Sequence, residues 1–353
     1  MSAVPTPHTK WPVAVAFGLV GSLLVALVVL AFLWPAKAAK PANLPISLTG
    51  PDASVSAFEQ AIGKASPGTF DFVAANDRDD AVTQIKTRET YGAIVLAQAP
   101  QTPEVLTAPA SSPVAAQLLT GLATQLQAQL SQQIAAAGGD ASTVKVTVTA
   151  IVPFSETDPT GTGLAAASFP LTLGGMTGGV LISLLVVGPR RRLAALAGFG
   201  TACGVILALI LQTWFKFLPG EFWLNALAIG FSILATSTFI VGCASLLGQA
   251  GTGLGAVLTL LVGNPLSAAA IPWQFLPTPW GAIGQLLVPG AANWLIRSIN
   301  YFPDADNSKQ LWVLAAWTAL GVILTLIGHY RDRSAMRIPE GTLEDGSPAP
   351  LTA

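Results

Sequence analysis

Residues able to do acid–base, nucleophilic or metal chemistry are sparse in this chain. The two cysteines, Cys203 and Cys243, lie inside apolar runs with no CxxC spacing, which reads as buried thiols rather than a disulfide or a metal site. The two histidines, His8 and His329, stand at opposite ends, so no His/Cys/carboxylate cluster offers a metal its ligands. Phosphate-loop, GxSxG and HExxH patterns are absent, and Gly63-Lys64 lacks the upstream glycine and following hydroxyl of a phosphate loop. The expectation is a protein that is not an enzyme, with no cofactor. The residues left to carry function are structural or gating candidates: Asp158, Gly161, Asn264, Pro265, Pro272, Pro277, Pro289, Gly290 and Arg297. Arg190, Arg191 and Arg192 form a cytoplasmic topology cluster, or more sharply a docking surface for an ATPase.

The elements that position these residues are apolar. The chain of 353 residues is 52% hydrophobic and 10% charged, with a mean hydropathy of +0.60, where a soluble protein would carry roughly a quarter charged residues. This predicts a polytopic α-helical membrane protein whose lipid bilayer is its first partner, and the near-zero net charge gives no reason to expect nucleic acid. Crossing the hydrocarbon takes about 20 apolar residues. Residues 11–35, 168–188, 193–215, 222–247, 251–272 and 310–328 meet or approach that, giving six transmembrane helices. Arginines 190–192 and 331, 333 and 337 then share one face, which the positive-inside rule makes cytoplasmic. Both termini (1–10 and 331–353) fall there, and 36–167 is extracytoplasmic. Lys37 and Lys40 oppose that orientation mildly. Ala36-Lys37-Ala38 resembles a signal-peptidase site, but the uncharged run 13–33 exceeds the ~7–15 residues of a leader core, favouring an uncleaved anchor.

Residues 263–296 are apolar yet hold Pro265, Pro272, Pro277, Pro279 and Pro289, each without an N–H and each obstructing the preceding helical turn. The expectation is a re-entrant or interfacial cap at the outer face, with Trp273, Trp280 and Trp294 at headgroup level and Arg297 snorkelling at its edge. Asn264 caps or turns the chain at its start. No charged residue lies between Phe222 and Ile296, or within any span, which argues against self-powered ion-coupled transport. Glycine pairs 174/178, 175/179, 200/204 and 251/255 have the spacing for close helix packing, expected within one chain rather than in a dimer.

Between the first two spans, charges and alternating patterns return. Leu44–Leu48, Thr69–Ala74, Tyr91–Leu96, Glu104–Thr107 and Val144–Val152 read as strands. Helices open at Asp52, read as a cap, at Asp77 and at Ser112-Pro113, the last running to Gly138-Gly139. The order β-α-β-α-β-β-α-β is a small α/β domain.

Tyr91-Gly92-Ala93-Ile94-Val95-Leu96, Asp158-Pro159-Thr160-Gly161, and Gly263-Asn264-Pro265-Leu266-Ser267 continuing through Leu287-Val288-Pro289-Gly290-Ala291 to Arg297-Ser298 carry a resemblance. With this layout the chain resembles the membrane subunits of type-2 ABC exporters, and among them the YhgE/Pip-like (phage-infection-protein-like) membrane proteins of Gram-positive and actinobacterial envelopes. The resemblance covers nearly the whole chain. It implies an apolar hairpin dipping into the bacterial plasma membrane before the last span, a separate ABC ATPase subunit, and a homodimer or heterodimer. In contrast to type-2 permeases, no amphipathic helix precedes Trp11, and the connection at Gly188–Arg192 is short. The expected function is therefore a permease-like subunit of an export system; the alternative is a non-transport envelope protein whose external domain binds a surface ligand, phage or secretion partner.

Overall fold

Leu44, Ile46 and Leu48 alternate with polar Ser47 and Thr49, and this period of two sends the apolar side chains to one face of a sheet and Ser47 to the other. A computed structural model describes residues 10–96, 102–140 and 145–335. In it the strands β1 (Leu44–Thr49), β2 (Phe70–Ala74), β3 (Gly92–Val95), β4 (Glu104–Thr107) and β5 (Thr147–Ala150) form one sheet in the order β2-β1-β3-β4-β5. All neighbours are parallel except β3 and β4.

Leu44, Ile46, Leu48 and Ile94 pack with Phe58 of α2 (Asp52–Ala65) and with Leu119 and Leu122 of α4 (Pro113–Ala136). Ala81 and Ile85 of α3 (Arg78–Lys86) join Ala93 and Leu106 in a second cluster. Behind β1, Ser47 bonds Gln84 and Thr90. The order of strands and helices is the one the sequence predicts. Two local expectations fail. Pro51, not Asp52, stands at the cap of α2, and Asp52 is its first residue with no capping bond. The last strand is only Thr147–Ala150, with Val144 outside the described residues.

Among the described residues five helices are long and apolar enough to cross a membrane, which suggests a membrane protein: α1 (Trp11–Ala38), α5 (Thr162–Leu185), α6 (Pro189–Ala208) with its π-helical continuation Leu209–Trp214, α7 (Phe222–Leu247), and α12 (Ser308–Ala335) over residues 308–330. The sixth stretch, expected over 251–272, is not one of them. It runs as α8 (Gln249–Val257), a π-helical segment Leu258–Gly263 and the short α9 (Asn264–Leu266), and stops at Ser267. Ala268, at a φ of 51°, turns the chain away. Then come α10 (Trp280–Gln285) and α11 (Val288–Tyr301).

α7 is the axis, buried over most of its length, with α5, α6, α8, α11 and α12 around it. Small residues make this possible. A side chain at Gly321 of α12 would strike the backbone of Thr238, and one at Gly328 would strike Ser245. Gly200 and Gly204 of α6 lie against Gly230, while Gly175 and Gly179 of α5 lie against Thr236, Ser237 and Ile240. The pairs 175/179, 200/204 and 251/255 thus serve packing within the chain, as expected, whereas Gly174 of the pair 174/178 faces open space. α1 differs: it is exposed along nearly its whole length and meets the rest near its end, through Phe32 on Phe169 and Trp34 on Trp280.

Candidate functional site

Contacts along α7 give a ruler for the proline-rich stretch. At the first turn of α7, Asn225 exchanges hydrogen bonds with Asn300, near the end of α11. Gln212, in the π-helical end of α6, and the backbone N–H of Gly220 join the same amide cluster. Further along, Ile229, Ser232 and Thr236 of α7 share a small cavity with Val288, Pro289, Asn293 and Ile296. At the next turn Phe239 meets the ring of Trp317, whose indole N–H donates to the carbonyl of Leu286 at 2.8 Å. The bend between α10 and α11 therefore lies level with Thr236–Phe239, about 16 Å along α7 from Asn225 at 1.5 Å per residue. The segment is a hairpin inserted between α7 and α12, deeper than a cover over their ends.

The prolines now have places. Pro289 opens α11 at the bend, where its missing N–H costs nothing, and a side chain on Gly263 would meet its ring. Gly290 lies so close to Gly284 that a side chain would strike the carbonyl there. Pro265 is tolerated in the first turn of α9, and Pro272 and Pro277 flank the 3₁₀ turn Trp273–Phe275. Asn264 does not cap with its side chain: its carbonyl accepts from Ser267, and its buried Nδ2 finds no partner.

Asp158 and Gly161 build the start of α5. The buried Asp158 carboxylate accepts from the N–H groups of Thr162 and Gly163, where negative charge complements the helix dipole. Gly161 has a φ of 63°, and a side chain there would also collide with Phe154. On the opposite end of α5, Arg192 donates to the carbonyls of Ser183 and Val186 and to Ser245 Oγ, joining α5, α6 and α7. Arg190 and Arg191 are exposed in the first turn of α6, where positive charge opposes the helix dipole, so helix stability does not explain them.

The residues brought together most tightly are two arginines, one on each side of the seam between the α/β domain and the hairpin. Arg297 is 7% exposed and donates to the carbonyls of Ala110 in the domain and Ala269 in the hairpin, each at 3.0 Å. This overturns its expected snorkelling role: its charge is turned inward and shared between two units. Arg88 makes the reciprocal reach. Its Nη1 donates to Trp294 O at 3.0 Å and Ser298 Oγ at 2.6 Å, and its guanidinium lies 3.6 Å from the Trp294 ring centroid. Trp294 is thus a platform for a cation. Tyr91 donates to Gln274 Oε1, Lys40 N–H donates to Phe275 O, and Phe275 enters the core of the domain.

Arg88 follows the last turn of α3 at a φ of 63°, a place where helices usually have glycine. Holding a side chain there costs about 1 kcal/mol or more. Burial pushes the Arg88 guanidinium down to about 9, with Tyr91 opposing and Arg297 adding to the shift, so it remains a cation at neutral pH. Burial pushes the Tyr91 phenol up to about 12, keeping it a neutral donor. Neither arginine has a carboxylate partner among the described residues. The sequence offered one signal for Arg88, a lone arginine directly after a helix, but nothing that pointed to a partner 206 residues away.

No family model, curated protein or solved structure matches this chain.

Proposed function

We propose that this protein is the permease-like subunit of an export system in a bacterial plasma membrane, with six crossings, both termini cytoplasmic, residues 36–167 outside and energy from a separate ATPase. The observation that carries the reading is the hairpin bend at the middle of α7. Irregular backbone at membrane depth is tolerated where protein or a water-filled cavity satisfies it, and transporters build their substrate sites from such broken helices. Here the bend adjoins a cavity lined by Ser168, Thr172, Ser232 and Thr236, in which Ser168 Oγ is buried without a partner. A π-helical segment, Leu258–Gly263, ends beside it, where Gly263 meets Pro289, and a second, Leu209–Trp214, breaks α6 near Asn225. An anchor alone has no use for these irregularities. Arg190 and Arg191, free on the surface, are then the cytoplasmic contact for the ATPase.

Purification from native membranes in mild detergent tests this. A nucleotide-binding subunit should accompany the chain in fixed stoichiometry. In a Cys203→Ala, Cys243→Ala background, ATP should change the maleimide reactivity of Leu286→Cys at the bend. A chain isolated without such a subunit, with labelling indifferent to nucleotide, overturns the proposal.

A second reading, an envelope protein whose external domain binds a ligand, is favoured by two observations. The connections on the arginine-bearing side are only Val186–Gly188 and Gly248. On the other side an open cleft of about 780 Å³ separates the domain from the hairpin and α12, with Asp71, Glu89, Gln274 and Lys309 in its walls. It predicts that deleting residues 41–165 abolishes function while loss of an ATPase does not.

A further inference from the structure

Arg88 and Arg297 line one small, partly open cavity of about 30 Å³ between the α/β domain and the hairpin. Among the described residues no aspartate or glutamate lines it; Tyr91, Ser111, Ser112, Gln285 and Asn293 supply polar wall beside the arginines. Burying a cation costs several kcal/mol unless its donors and its charge are both answered. The donors are answered only in part. Arg88 spends Nη1 on Trp294 and Ser298, while its Nε–H is enclosed with no partner. Arg297 binds carbonyls, which are dipoles and leave its charge unbalanced. Asp71, Glu89 and Asp306 share the wider cleft with Arg88, but none pairs with it.

A third source of positive potential meets the same space. The helix α4, 24 residues long, begins there: its cap Ser112 and first residue Pro113 are both in the wall. A helix N-terminus favours an anion, and two guanidinium groups beside it make the preference strong. Size selects among anions. A water needs at least about 10–15 Å³ of such space, so this cavity takes a monatomic ion or a water or two. A phosphate, with four oxygens about its phosphorus, is larger than that space and would project from its open side.

We propose that this cavity binds a small monovalent anion of the chloride class, which neutralises Arg88 and Arg297 and locks the α/β domain onto the hairpin. The site explains why a side chain is kept at the left-handed position of residue 88, and why a buried and a half-buried cation face one another's elements with no acid between them among the described residues. It stands whether or not the chain exports anything.

The test uses the full chain in detergent, melted in sodium chloride, bromide, phosphate or gluconate at matched ionic strength. Chloride and bromide should raise the melting temperature by about 2–4 °C over gluconate and phosphate. The increment should vanish in Arg88→Gln and persist in Arg78→Gln, an arginine on the exposed face of the domain. Should Arg88→Gln fail to fold, crystals of the unaltered chain soaked in bromide give the second measurement, an anomalous peak between Arg88 and Arg297. Equal melting in all four salts, an undiminished chloride increment in Arg88→Gln, or a bromide soak without that peak would each overturn the site. Stabilisation by phosphate or anionic lipid but not by chloride would also overturn it.

Discussion

Two seams hold this molecule together, and they use opposite chemistry. Around α7 the helices meet chiefly through glycines and hydroxyl-bearing residues, with Arg192 the charged tie at one end, and backbone lies on backbone at Gly321–Thr238 and Gly204–Gly230. Between the α/β domain and the hairpin the contact is made by Arg88, Arg297, Tyr91 and the ring of Trp294. Hydrocarbon chains are as apolar as leucine, so burying leucine gives helices no reason to associate in a bilayer; close packing does. At the outer seam water competes for every polar group, and burial there favours long side chains that carry several donors into an enclosed space. The inner seam is specified by what is missing from its side chains, and the outer one by what two side chains add.

Breaking the inner seam should have the largest effect. Gly321→Leu must displace the backbone of Thr238; overpacking costs about 1–3 kcal/mol in ordinary cores, and here the obstacle is main chain. The expected outcome is loss of the monodisperse species in size-exclusion chromatography. At the outer seam Arg88→Ala should cost about 2–3 kcal/mol, from two hydrogen bonds by a charged group and a cation stacked on an indole. The helices should survive it: circular dichroism unchanged, with faster amide exchange confined to α11 and the loop before β3. If exchange quickens equally across α7, the two seams are not independent. Trp294→Leu keeps the carbonyl that Arg88 binds and removes only the ring, so a loss of about 1 kcal/mol in thermal melting is expected.

The smallest effect tests a charge that does have a partner. Glu104 accepts from Arg78 and Thr149, and the Arg78 guanidinium foremost holds its carboxyl below its ordinary 4.5. A carboxylate lowered on folding stabilises the fold above its ordinary value, and that contribution disappears as pH falls through the lowered one. Arg78 is 44% exposed, so solvent reduces the pair to less than about 1 kcal/mol. Melting profiles of Glu104→Gln and the unaltered chain should differ slightly at pH 7 and converge below pH 4.

The contrast also explains what the sequence could reveal. Periodicity reports local order: the alternation at Leu44–Leu48 and the helical spacing of Val55, Phe58 and Ile62 mark β1 and α2, and Phe222–Leu247 marks α7 to the residue. The helix at 251–272 was legible only as apolar. Nothing in its composition says that the chain turns at Ala268, since that is decided by what the hairpin packs against. Arg297 was visible as a charge after a long uncharged run, but whether such a charge faces water or a carbonyl depends on Ala110, 187 residues earlier. Arg88 showed only its place directly after a helix.

The clasp between Arg88 and α11 joins residues 206 and 210 positions apart, so it also sets an order of events during synthesis. All strands of the α/β domain have been made by Ala150, whereas Trp294 and Ser298 are added only after α5, α6 and α7. Through that interval Arg88 lacks both partners that α11 supplies, and the domain core lacks Phe275. Closure of this seam is therefore a late event, one that a chain stopped before residue 288 cannot reach.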